Sequence, residues 1–411
     1  MPGKAPILTR RRMLVGGAVV AGGGLVLSLL GEDDRLSGLP TRDGTLQPNA
    51  YLQVTPGGSI ILQVDKVEMG QGVMAGFATL LAEELCVRPD QVAVRHAPIH
   101  PLFQDPSMVT GDSNSMRSRW LPIRRTGAAA REMLRTAAAR RWQVPVTVIE
   151  MPGDGSLLNA VDGAVLSYGE VAAAAASLPV PEDPPLREPG EYRWIGEFVA
   201  RPDIPEKVTG SARFGSDVRL PGQLTAVILR PPRVGDRLEA FDASAARRAT
   251  GVVDVVETPL GLAVLAESYW YAQRAVGLVK ASWSDGPLAG VDKASVNVEL
   301  ERLLDEGATV VPRDDGDAVA SLAERTDLEA HYGTPFLAHA TMETMNATVR
   351  LSPGKCELWV PTQVPDGARE LACQILGLKR DQVEVHTTYV GGGFGRRALA
   401  DYVREALEIA R

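Results

Sequence analysis

Short apolar runs broken by turn residues set the pattern of this chain. Leu52-Gln53-Val54 and Ile60-Ile61-Leu62-Gln63-Val64 flank Thr55-Pro56-Gly57-Gly58, which predicts a β-hairpin. Beyond Glu68-Met69-Gly70-Gln71-Gly72 the spacing becomes helical through Phe77, Leu80, Leu81 and Leu85, and Asp90-Gln91-Val92-Ala93-Val94-Arg95 predicts a following strand. The order recurs near the other end. Val349-Arg350-Leu351, a turn at Ser352-Pro353-Gly354 and Cys356 to Val360 form a second hairpin pattern. A helical stretch from Ala368 to Leu376 and Asp381-Gln382-Val383-Glu384-Val385-His386 complete it. We read a duplicated β-β-α-β unit. Gly57 and Gly354 stand 297 positions apart but Asp90 and Asp381 only 291, so the first copy holds six extra residues, which we place at Glu68–Gly72.

The second copy runs into Val390-Gly391-Gly392-Gly393-Phe394-Gly395-Arg396-Arg397. Glycines here let backbone approach a ligand closely, and bare amides beside two guanidinium groups suit an anion or an oxygen-rich group. A tight turn with solvated arginines is the plainer alternative. Between the copies, Val109-Thr110-Gly111-Asp112-Ser113-Asn114-Ser115 precedes a helical pattern from about Leu121 to Trp142. Its apolar stripe is Ile123, Ala130, Met133, Leu134, Ala137 and Ala138; the other side carries Arg124, Arg125, Arg131, Arg135 and Arg141. A small polar loop opening onto a helix N-terminus is an anion site in waiting, or a capped helix with a solvated basic face.

Pro179 to Pro185 reads as a stiff linker. After it, Leu224–Arg230, Val252–Val256 and Leu262–Ala266 read as buried strands, Tyr269–Lys280 as a helix and Ala281–Trp283 as a strand. Residues 285–329 are acidic and weakly periodic, as in a connecting segment. The expected divisions are 1–31, 48–178, a linker 179–200, a module 201–290, a connector 291–329 and a last segment 330–411.

Composition narrows the function. At 411 residues the chain exceeds one ordinary core. A net charge of -8 argues against nucleic acid as a partner. Cys86, Cys356 and Cys373 form no C-x-x-C pair, so this chain has no pattern for an iron–sulfur cluster or a four-thiolate zinc. Neither G-x-G-x-x-G nor a Walker lysine is present, which argues against a nucleotide-binding dehydrogenase. Thr9-Arg10-Arg11-Arg12-Met13-Leu14 before the apolar run Val15–Leu30 resembles a twin-arginine export signal, which predicts a periplasmic protein, with anchoring to the inner membrane if the run stays uncleaved.

Together, Glu68–Gly72, Thr110–Ser115 with its helix, and Gly391–Arg397 resemble the molybdopterin-binding large subunits of the xanthine dehydrogenase and aldehyde oxidase family. The resemblance is strongest to the isoquinoline 1-oxidoreductase β-subunit and membrane aldehyde dehydrogenase branch. Lys207-Val208-Thr209-Gly210 to Trp283 resembles the family's α/β-hammerhead domain, and Phe336 to Glu343 the segment opening its next molybdenum domain. The implied fold is α+β, mixed α/β: molybdenum-cofactor-binding halves built from β-β-α-β repeats, flanking a hammerhead.

The resemblance implies molybdenum with molybdopterin, in its cytosine dinucleotide form, held without side-chain metal ligands. Gly70, Gln71 and Gly72 would contact the pterin or its phosphates, Gln71 through its carboxamide, with Glu68 orienting their loop. Thr110, Gly111, Ser113, Asn114 and Ser115 would cradle the dinucleotide tail. Gly392, Gly393, Phe394, Gly395 and Arg396 would face the metal's ligands, Phe394 walling a substrate pocket. His339 stands near the position where other branches carry a glutamine beside the metal; a pocket-wall histidine is the plainer reading. Asp217 and Glu343 are read as turn and loop hydrogen-bonders. Arg396 and Arg397 replace the Gly-Lys of xanthine dehydrogenases and argue against purine. The implied reaction is oxidation of an N-heteroaromatic or aldehyde substrate with water-derived oxygen. Implied partners are a small [2Fe-2S] subunit, a c-type cytochrome and the small-molecule substrate. No catalytic residue is assignable, because the family's glutamate base falls beyond Arg411. The helical stripe Leu399, Tyr402, Val403, Ala406, Leu407 and Ala410 is expected to need a partner from a complementing C-terminal chain. A catalytically incomplete chain that only binds or assembles is the other reading.

Overall fold

A computed structural model describes residue 39 and residues 43–103, 108–307, 310, 311, 313 and 315–411; the export signal and its apolar run lie outside these. Among the described residues no helix is long and apolar enough to cross a membrane. The chain divides into two compact units. One comprises residues up to Val218 together with Ala340–Arg411; the other is Arg219–His339. The break therefore follows Val218 rather than residue 200, and the second unit continues to His339.

In the first unit, strands β1 (Leu46–Asn49), β2 (Leu52–Val54) and β3 (Ile60–Val64) form an antiparallel meander. Helix α1 (Val73–Leu85) crosses back so that β4 (Val92–His96) pairs parallel to β3. Predicted and observed elements agree here; Asp90 and Gln91 form a 3-10 turn before the strand. Helix α2 (Ser115–Trp142) begins six residues earlier than its apolar stripe indicated. It is followed by a small sheet of β5 (Ile149–Glu150), β6 (Ser156–Asn159) and β7 (Val165–Ser167), then α3 (Tyr168–Ala176) and a short α4 (Ile204–Thr209). Phe77, Leu81, Ile123, Leu134 and Tyr168 meet in the core.

The basic side of α2 is a correction. Arg124 and Arg131 are buried, not solvated, and both reach the fully buried Glu84 of α1, at 2.8 and 3.0 Å. Each also donates to a carbonyl, Arg124 to that of Arg187 and Arg131 to that of Pro185, so the proline segment lies docked on the helix. Two of the strip's five arginines thus belong to an interior charge network while Arg141 stays exposed, because arginine stems bury readily once the guanidinium has partners.

The second unit holds β8 (Thr225–Leu229), β9 (Arg237–Asp242), α5 (Ser244–Arg247), β10 (Val252–Thr258), β11 (Gly261–Ala266), α6 (Tyr269–Val276) and β12 (Lys280–Ser284). Its sheets run β10-β11-β8 and β12-β9. The predicted helix 269–280 ends at Val276, and β9, with its polar Arg-Leu-Glu-Ala-Phe-Asp, gave no strand signal. The stretch read as connector contains α7 (Lys293–Glu306) and α8 (Ala318–Glu324), neither with a buried residue.

Back in the first unit, β13 (Thr348–Ser352) and β14 (Lys355–Val360) form the second hairpin; α9 (Pro365–Leu376) leads to β15 (Val383–Thr387), parallel to β14. The topology repeats that of β2-β3-α1-β4. Eight residues join β3 to α1 but only four join β14 to α9, so most of the extra length lies in the stretch ending at Gly72. The final helix α10 (Asp401–Ala410) corrects a second expectation. Tyr402, Val403 and Leu407 are buried with Leu358 and Ala372 in this chain's own second repeat, while Leu399 and Ala410 of the same stripe stay exposed.

Replacing Glu84 with alanine strands two buried guanidinium groups, which costs about 3–5 kcal/mol. Urea unfolding of the full chain followed by circular dichroism should show that loss; a change under about 1 kcal/mol would contradict the network's role.

Candidate functional site

Both repeats send their strand ends to one place. Glu68, after β3, accepts from the Val390 amide, after β15, at 3.1 Å. Thr110 and Gln363 join reciprocally: the Thr110 amide donates to the Gln363 carbonyl and the Gln363 carboxamide donates to the Thr110 carbonyl, both at 2.9 Å. The Val67 amide donates to the Thr110 hydroxyl at 2.8 Å. Three segments far apart in sequence, 67–72, 110–115 and 390–397, thus share one locus.

Each glycine loop is held from behind by a buried glutamate paired with an arginine. The Glu68 carboxylate, fully buried, accepts from the amides of Gly70 (2.9 Å), Gly72 (3.0 Å) and Met74 (3.2 Å). Charged acceptors bond amides more strongly than neutral ones, which fixes the turn without occupying its front. Gly70 and Gly72 have φ of 104° and 80°, a region side chains resist. In the other loop Glu343 accepts from the Gly391 amide at 2.8 Å and from the Ser216 amide at 3.1 Å. Arg397, 0% exposed, donates to the carbonyls of Gly392, Pro361 and Glu343 and lies 3.2 Å from the Glu343 carboxylate. Asp217 accepts from the Phe214 amide.

Several expected contacts take another form. Gln71 closes its own loop: its carboxamide accepts from the Met69 amide (2.7 Å) and donates to the Val67 carbonyl (2.8 Å). Arg396 and Arg397 do not offer free guanidinium groups. Arg396 forms a two-pronged pair with Asp401 at 2.7 and 2.6 Å, and Arg397 is wholly interior. Phe394 is 71% exposed at the loop tip with φ of 51°. Gly111, Asp112 and Ser113 form the turn before α2, Asp112 and Ser113 also with positive φ, while Asn114 accepts from Arg117 and Ser115 opens the helix. No side chain caps that N-terminus. His339 is exposed, in the second unit.

The glutamine that enters the site is Gln363, which no local pattern in the sequence marks. By strand register it occupies the position of Val67 in the first repeat, so aligning the repeats outward from their strands would have found it. Its Oε1 is buried, and no donor among the described residues reaches it. A Cβ added at Gly393 would stand 2.8 Å from that oxygen and 2.8 Å from the Met69 sulfur. Gly70 and Gly395 face open space. The cradle is therefore bare backbone with one unsatisfied neutral acceptor. It fits a bulky, hydrogen-bonding organic group that brings its own metal. Among the described residues the one cluster with metal-type ligands is Glu357, Glu384 and His386 on β14 and β15, where Arg350 and Lys355 already pair with both carboxylates.

His96, at the end of β4, accepts from the Glu68 amide at 3.3 Å and bonds the Thr387 backbone, linking the repeats. Burial pushes its pKa down from 6.5 to about 4.

Two molybdopterin cofactor-binding domain models match the chain, one over residues 32–213 and one over 304–410. The β-subunit of isoquinoline 1-oxidoreductase from Brevundimonas diminuta is 29% identical, over 89% of this chain and 53% of the relative. A nicotinate dehydrogenase subunit from Pseudomonas putida is 29% identical, over 88% and 31%. The membrane-bound aldehyde dehydrogenase of Gluconacetobacter polyoxogenes is 27% identical, over 88% and 48%. Among solved structures, quinoline 2-oxidoreductase from Pseudomonas putida aligns with a TM-score of 0.39 at 20% identity, over 52% of this chain and 33% of that one. The chain belongs to the molybdopterin-binding family of the xanthine dehydrogenase and aldehyde oxidase type. It spans about half the length, or less, of the curated relatives it matches.

The unfolded chain protonates His96 near pH 6.5 and the folded chain only near 4, so stability falls as pH drops through that window. Urea midpoints at pH 7, 5.5 and 4.5 should decline less steeply for His96→Gln. Equal slopes would contradict the assignment.

Proposed function

We propose that this chain is the cofactor-holding part of a molybdenum hydroxylase large subunit, in an enzyme that oxidises an N-heteroaromatic or aldehyde substrate with water-derived oxygen. The observation that carries this reading is the meeting of the two glycine loops at Gly393, beside the unpartnered Gln363 oxygen and Met69. A pterin edge carries N–H donors for that oxygen. Bare amides on both sides suit electronegative groups without adding charge. The uncapped N-terminus of the 28-residue α2, entered through Thr110–Ser115, suits the phosphates of a dinucleotide tail, taken here as the cytosine form.

Molybdopterin, when bound, supplies a metal centre that accepts the substrate's two electrons. The chain's own residues position the group, keep side chains out of its way and exclude competing charge. Electrons would pass to a separate [2Fe-2S] subunit and a c-type cytochrome, in keeping with the absence of a cluster-binding cysteine pattern in this sequence. Twin-arginine export carries folded cargo, which suits cofactor loading before transfer to the periplasm.

Protein from molybdate-supplemented cells, co-expressed with the sequence that relatives carry beyond the matched stretch, should contain near-stoichiometric molybdenum and pterin. Gly393→Val should lower both about tenfold or more while retaining the fold, since its side chain would displace Gln363 and Met69. Wild-type protein lacking both would contradict the reading; metal and pterin without turnover would favour a binding or assembly chain.

A further inference from the structure

Arg201 comes from an extended stretch outside both repeats, and no role was visible for it in the sequence. Its guanidinium donates to the Gly70 carbonyl at 2.8 Å and to the Glu68 carboxylate at 3.2 Å. The second loop has the same device. Arg397 donates to the Gly392 carbonyl at 2.9 Å and stands 3.2 Å from Glu343. Gly70 and Gly392 both have positive φ, at 104° and 96°. In each loop a buried glutamate gathers amides, an arginine takes the carbonyl of a left-handed glycine, and the two charges pair.

The arginines differ in how they are aimed. Arg397 is wholly enclosed and surrounded by carbonyls. The Arg201 side chain is 30% exposed and is oriented by Asp203, itself 1% exposed, through bonds at 3.1 and 2.5 Å. Lys207 pairs with the same carboxylate and lies 5.2 Å over the Tyr389 ring. Tyr389 packs edge-on to His96, whose ring accepts from the Glu68 amide. Hydrogen bonds, ion pairs and ring contacts therefore close a circuit: Glu68, Arg201, Asp203, Lys207, Tyr389, His96 and back to Glu68. Burial alone would raise Asp203; the bonds from Arg201 and Lys207 outweigh it and hold it at about 2, so the brace stays charged at physiological pH.

We propose that Arg201, aimed by Asp203, is the positioning residue of the Glu68–Gly72 loop, and that retention of the cofactor depends on it. The second clause rests on the molybdopterin reading; the first does not. Without Arg201 the Gly70 carbonyl loses its donor and Glu68 its cation, and the turn is free to rotate its amides away from the ligand.

The test uses the full chain as wild type, Arg201→Gln, Arg201→Lys and Asp203→Asn, each co-expressed with the sequence that relatives carry beyond the matched stretch. Amide exchange is read by mass spectrometry, and molybdenum and pterin per chain are measured on the same preparations. Arg201→Gln and Asp203→Asn should speed exchange of residues 69–74 about tenfold or more while leaving 391–397 at wild-type rates. Their molybdenum and pterin content should fall about fivefold or more, with Arg201→Lys falling between. Unchanged exchange at 69–74 in a folded variant would overturn the positioning role. Faster exchange with full cofactor content would overturn its link to retention. If Arg201→Gln fails to fold, Asp203→Asn and Arg201→Lys decide the same points. Wild-type protein without molybdenum would sink the cofactor reading while the exchange comparison still decides the positioning role.

Discussion

A loop that must present bare backbone forward has to satisfy its polar groups from behind. That constraint governs the first unit. Glycine amides and carbonyls cannot be left unpaired in the interior, and a side chain in front would block the ligand. Glu68 and Glu343 take the amides, Arg201 and Arg397 take the carbonyls, and each acid lies 3.2 Å from its base. Burying such pairs is costly, so they persist where they fix a conformation more than where they add stability.

Duplication supplies the scaffold. Each β-β-α-β unit ends its inner strands on one side, and the polar tails beyond β3, β4, β14 and β15 meet there through Thr110 with Gln363 and Glu68 with Val390. Parallel pairing of β3 with β4 and of β14 with β15 forces the crossover helices, and these bury the faces that hold the strands in register. Residues more than 300 positions apart become neighbours by that route, since no local signal could bring Met69 to Gly393.

The sequence made the repeat, its elements and the glycine loops legible, because period and turn chemistry are local. It did not show how charges would be used. Arg124 and Arg131 looked like a solvated face and serve Glu84 in the interior; Arg396 and Arg397 looked like ligand donors and serve Asp401 and the loop's own carbonyls. Gln71 stood between two glycines and was read as facing outward, yet its carboxamide finds both partners within four residues. Gln363, the group that does enter the cradle, had no glycine or charge beside it to mark it. Local pattern reports which backbone will turn; only long-range pairing decides which polar side chain is already satisfied.

The central claim is that both glycine loops face one molybdenum-carrying group. An anomalous difference map at the molybdenum edge, from crystals of the loaded protein, tests it directly. A single peak in front of Gly393 and Gln363, between the loops, is expected. A peak at Glu357, Glu384 and His386, or one touching neither loop, would contradict it.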